Sequence, residues 1–179
     1  NVTTAKIADN AVTSAKLASG LALGKIGQVV SVTKTDTFTY SGTGLIDVTG
    51  LSLTITPSAT SSKIYLVANI NIDASSRYTA FKFVRDSTDI GIGNAEGIRG
   101  RVTVSSGRIS GASLDNYIMH NSSASFLDSP NTTSSTVFKI QAGNTYGSQT
   151  LYINRPEYDD NAAYIHRGIS TITAMEVLA

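Results

Sequence analysis

Ile64, Leu66, Ala68, Ile70 and Ile72 alternate with Tyr65, Val67, Asn69 and Asn71, and this period of two is the tightest constraint in the chain. Successive side chains of an extended strand point to opposite faces, so the pattern builds a half-buried strand whose second face is partly apolar. The signature recurs. Gln28-Val29-Val30-Ser31-Val32 opens the series, Leu51 to Thr56 alternates and stops at Pro57, and Thr79 to Arg85 carries Phe81 and Phe83 on one face. Arg101 to Ile109, Leu114 to Met119, Thr136 to Ala142, Thr150 to Asn154 and Ser170 to Leu178 follow, separated by clusters of Gly, Ser, Asn, Asp and Pro. Nothing beyond residue 26 sustains a helical period. Roughly eight to ten short strands at regular turn spacing predict an all-β, jelly-roll-like β-sandwich head over residues 27–179.

The last predicted strand is apolar on both faces, with Ile172 and Ala174 in one register and Met175 and Val177 in the other. One face packs the sandwich; a neighbouring subunit is the simplest cover for the other. The amino-terminal segment poses the same problem. Val2-Thr3-Thr4-Ala5-Lys6-Ile7-Ala8 returns ten residues later as Val12-Thr13-Ser14-Ala15-Lys16-Leu17-Ala18. Two copies of so short a unit form no core. The rows Val2/Val12 and Ile7/Leu17 stay wet in one chain and are buried when several chains wind about a common axis. Residues 1–26 therefore read as a repetitive stalk or neck, against the plainer alternative of a flexible linker. Ala and Lys permit helix there while Val and Thr favour extended chain, so its secondary structure stays open. Val2, Ile7, Val12, Leu17, Ile172, Met175 and Val177 are the expected contacts of a homotrimer.

Composition narrows the function. Of 179 residues only 15% are charged, against about 25% in ordinary soluble domains, which suits faces covered by copies of the same chain. The net charge of +1 has no basic stripe, so nucleic acid is not expected as a partner. No run reaches the ~18 apolar residues of a membrane span, so no membrane insertion is expected either. There is no cysteine, hence no disulfide framework or thiolate metal site. The chain starts at Asn1 rather than Met, and upstream sequence such as an attachment domain is expected before it.

Asn10-Ala11-Val12-Thr13-Ser14-Ala15-Lys16-Leu17-Ala18 resembles the stalk repeats of phage tail-fibre proteins. Gly27-Gln28-Val29-Val30, Asp47-Val48-Thr49-Gly50-Leu51 followed by Thr56-Pro57, Ser61-Ser62-Lys63-Ile64 and Val84-Arg85-Asp86-Ser87-Thr88 resemble the C-terminal heads of marine and cyanobacterial phage fibres. So do Phe126-Leu127-Asp128-Ser129-Pro130, Tyr152-Ile153-Asn154-Arg155 and Ser170 to Glu176. The resemblance covers nearly the whole chain. It implies a homotrimeric virion protein at the particle surface, with the jelly-roll topology of complement-globular and tumour-necrosis-factor-like heads. Other tail or capsid proteins and a host-surface glycan or protein would be its partners.

The sequence carries no recognisable catalytic machinery. Two histidines, His120 and His166, read as structural or solvated, and no nucleophile elbow, zinc-helix motif or phosphate loop is present. Glycoside cleavage needs two carboxylates held in a groove. The densest acidic run, Glu157-Tyr158-Asp159-Asp160, reads as a polar loop, and with Asn161 it lacks the spacing of a recognised calcium loop. No enzyme activity, metal or cofactor is expected. Sugar binding remains, because a pyranose offers a C–H face to aromatic rings and hydroxyls to amides. Tyr146, Tyr158 and Tyr164, with Asn154 and Asn161, are the candidate glycan residues. The reading is a fibre tip for host attachment; the alternatives are a capsid decoration or head fibre and, further off, a surface-glycan depolymerase.

Overall fold

The computed structural model describes residues 25–75, 78–106 and 115–178. The expected stalk contacts Val2, Ile7, Val12 and Leu17 lie outside these residues. Among the described residues there are nine strands: β1 (Ile26–Lys34), β2 (Phe38–Ile55), β3 (Lys63–Ala74), β4 (Thr79–Arg85), β5 (Thr88–Ile90), β6 (Val104–Ser105), β7 (His120–Asp128), β8 (Thr136–Ile153) and β9 (Ser170–Val177). All pairings are antiparallel.

The pairings form two leaves. One runs β1–β9–β3–β7 and the other β2–β8–β4–β5, with β6 also on β4. The leaves join where Ile72–Ala74 of β3 pairs with Leu151–Ile153 of β8. This is the all-β jelly-roll arrangement that the alternation predicts, with strands passing back and forth between two layers.

Even-numbered residues of the first leaf face the core in cross-strand rows, Val30–Ala174–Leu66–Phe126 and Val32–Ile172–Ala68–Ala124. The second leaf opposes them with Leu53, Phe81, Phe83, Phe138 and Ile140. Phe81 and Phe83 meet edge to face at 6.3 Å, the arrangement that the ring quadrupole favours. Burying each such ring contributes roughly 2–3 kcal/mol. Truncating fully buried Phe138 to Ala would cost about 3–5 kcal/mol. At one end Arg85 of β4 donates to the Asp128 carboxylate of β7 at 2.7 Å, tying leaf to leaf.

The structure revises several sequence expectations. Leu51–Thr56 is only the end of an 18-residue β2, which bends through register shifts near Gly44 (φ 101°) and between Asp47 and Ser52, where Gly50 has φ 86°. Such left-handed backbone suits glycine, which has no Cβ to clash. Thr136–Ala142 and Thr150–Asn154 fuse into the equally long β8. Residues 115–117, expected in a strand, form a short 3-10 helix, and of Arg101–Ile109 only Val104–Ser105 is strand among the described residues. Ile172 is 0% exposed within the chain's own core and has no surface left for a neighbouring subunit, which corrects its assignment as a trimer contact. Met175 and Val177 lie on the opposite, outer face.

Candidate functional site

Register fixes the two ends of the sandwich. Ile26 pairs with Val177, and Val177 with Lys63, at one end. Lys34 pairs with Ser170, and His120 with Ile72, at the other. At ~3.3 Å per residue the nine residues of β1 separate these ends by roughly 25–30 Å. The second end carries Arg155–Ile169, the loop between β8 and β9, and the segment leading into β7.

Asn154 anchors this loop. It is 0% exposed and sits at φ 63°, a left-handed conformation that Asn tolerates. Its amide donates to the carbonyls of Lys34 and Asp36, both at 2.9 Å, and its Oδ1 accepts from Ser170 Oγ at 2.7 Å. Buried with its hydrogen bonds made, Asn154 is structural, which corrects its place among the glycan residues. Asp73 holds the loop further, accepting from the Glu157 N–H at 2.6 Å. Asp159 pairs with both Arg155 and Arg167, at 3.4 and 2.8 Å. Arg155 also lies over the Tyr152 ring at 4.8 Å.

On this base sits an aromatic cluster. Tyr117 packs against Tyr158 at 4.7 Å and Tyr164 at 6.2 Å, ring centre to ring centre. The Tyr158 N–H donates to the Asn116 carbonyl, fastening the loop to the 3-10 turn. A hydrogen bond to the Asp160 carboxylate, and that group's charge, push the Tyr158 phenol up to about 12, so it stays a neutral donor. A cleft of about 660 Å³ opens beside the cluster, lined by Tyr117, Ile118, Met119, Tyr164 and His166. That size is within the usual range of small-ligand sites.

The structure thus unites Tyr158 and Tyr164 of the sequence-predicted set and leaves Asn161 exposed on the same loop. It sends Tyr146 elsewhere, edge-on against Tyr78 at 5.3 Å. Sequence reasoning missed Tyr117, Ile118 and Met119 because their run was assigned to a strand, and it set His166 aside as solvated. Among the described residues no group of three or more His, Cys, Asp or Glu is placed to hold a metal ion.

No family profile matches the chain, and no curated protein matches it. Among solved structures it is similar to the infectious bursal disease virus VP2 subviral particle at 15% identity and a TM-score of 0.39. It is also similar to the Gt strain of the same virus, at 16% identity and a TM-score of 0.39. Each likeness covers 85% of this chain but only 38% of the matched chain, so the chain spans well under half the length of these neighbours.

Proposed function

We propose that this chain is the head of a virion fibre, a homotrimeric, non-enzymatic tip that attaches the particle to the host surface. The observation that carries the reading is the position of the aromatic cleft. It lies at the end of the sandwich opposite Ile26, where residues 1–24 lead in, so a stalk there would present the cleft outward.

Assembly is supported by the outer face of the first leaf. Val29, Met175, Tyr65 and Leu127 form one cross-strand apolar row, and Val177 neighbours Ile26 beside it. Val29 remains 58% exposed and Leu127 44% exposed in the single chain. Contiguous apolar surface of this kind marks interaction sites. The ten-residue repeat at residues 2–18 supports the same coaxial assembly. Binding rather than cleavage is supported by the acidic loop: Asp159 is engaged by two arginines and Asp160 by Tyr158.

The test is adhesion. Labelled intact chain, incubated with a panel of marine cyanobacterial strains, should bind a subset saturably and compete with phage adsorption; binding to none would remove the attachment role. Light scattering should give three chain masses, and a monomer mass well above micromolar concentration would overturn the trimer.

A further inference from the structure

We infer that the Tyr117–Tyr164 cleft takes an uncharged pyranose glycan. The inference rests on the attachment reading and names its ligand. Three observations select the chemistry. First, the lining combines two tyrosine rings with Ile118 and Met119, which favours a ligand that offers C–H surface; the face of a hexopyranose does so. Second, the same lining residues bring two phenols and the imidazole of exposed His166, polar groups that answer the ring hydroxyls of a sugar and have no counterpart on an alkyl chain.

Third, among the described residues, charged side chains of the loop beside the cleft are engaged with one another. Arg155 and Arg167 converge on Asp159, and Asp160 holds the Tyr158 phenol. A sialic acid or sulfated sugar would have to draw an arginine away from Asp159 and leave that carboxylate beside its own negative charge. A neutral ring meets no such conflict. The tyrosines are well placed for stacking: Tyr164 is 62% exposed yet held against Tyr117, so little side-chain freedom is lost on binding. In a trimer three equivalent clefts would face the same surface, and linked weak sites bind far more durably than one.

The test is a glycan array probed with the intact labelled chain. Mannose-, glucose- and galactose-terminated oligosaccharides should retain it, and sialylated and sulfated ones should not. Tyr164→Ala should weaken retention about tenfold, an effect of the size that an aromatic contact supports. His166→Ala should weaken it less, and Tyr146→Ala, in the separate Tyr78 pair, should leave it unchanged. Thermal melting shows whether each variant is folded. No retention on neutral glycans, a preference for anionic ones, or full retention by folded Tyr164→Ala and His166→Ala would overturn the inference. The two readings fail separately: equal binding of wild type and Tyr164→Ala to cells sinks the cleft and spares attachment. Wild type that binds neutral glycans but no cells sinks attachment alone.

Discussion

The outer faces of the two leaves are built on opposite rules. On the outer face of β2–β8–β4–β5, charges are matched across strands: Lys139 and Gln141 both donate to Asp47, at 2.6 and 2.7 Å, and Lys82 to Asp89 at 2.7 Å. On β1–β9–β3–β7 the outward row is Val29–Met175–Tyr65–Leu127. The next rows are Ser31–Thr173–Val67–Ser125 and Thr33–Thr171–Asn69–Ser123, with Lys63 as the charge at the margin. Even the polar members of this face bond to each other, Ser31 to Thr173 at 2.8 Å. Both leaves share one core, so stability of the single chain does not call for the difference. It separates a face whose charges are paired across strands from one that leaves an apolar row exposed.

Charge placed on each face is the severest way to break the comparison. Met175→Asp should abolish self-association, taking the scattering mass from three chains to one, while Thr54→Glu on the exposed second face leaves it unchanged. Equal behaviour of the two variants would erase the distinction. The next effect separates assembly from folding. Asn154→Ala strips two backbone carbonyls of their donor and places Ala in left-handed backbone. It should cost about 3 kcal/mol in denaturant unfolding of the chain, whatever its oligomeric state.

Glu176 sharpens the comparison from within the first leaf. It faces inward, almost fully buried, and accepts from Ser58 N–H, Ser58 Oγ and the Gln28 amide at 2.6, 2.6 and 2.8 Å. Burial alone would raise its carboxyl, but these donors outweigh it and hold the group at about 2, below the ordinary 4.5. A depressed carboxylate adds stability above its unfolded value and loses it as pH falls toward the folded one. The fold should therefore weaken between about pH 4.5 and pH 2. Glu176→Gln should cost about 2 kcal/mol at neutral pH and flatten that acid limb. The smallest effect belongs to the wet face: Lys139→Ala should change stability by about 0.5 kcal/mol or less, and less still in high salt.

The legible parts of the fold were those where local pattern and tertiary environment agree. Ile64–Ile72 and Phe81/Phe83 alternate because one side of each strand is core, and period two reports that directly. Phe38–Gly50 was missed because glycine-rich bends interrupt the period, and β7 because Ser122 takes an inward position and breaks its apolar alternation. Asn154 misled for a physical reason: an amide suits a sugar and a buried left-handed corner equally, and only the three-dimensional position separates them. The cleft was half legible. Tyr158 and Tyr164 stand out in a polar loop, while Tyr117 reaches them from a distant segment by a contact that no spacing encodes.

The architecture of β8 also bears on how the chain is made. It supplies the partner for β2 on both sides of its Asp47–Ser52 bend, for β4 and for the end of β3, while β9 completes β1 and β3. Both strands come from roughly the last quarter of the sequence. A growing chain on the ribosome therefore carries β2 and β4 without the neighbour that will join them. Closure of so many distant pairs is slow compared with local helix formation. The nascent domain remains open, with its strand edges exposed, until β8 and β9 have been made, and it is then most in need of protection from other unfinished copies of itself.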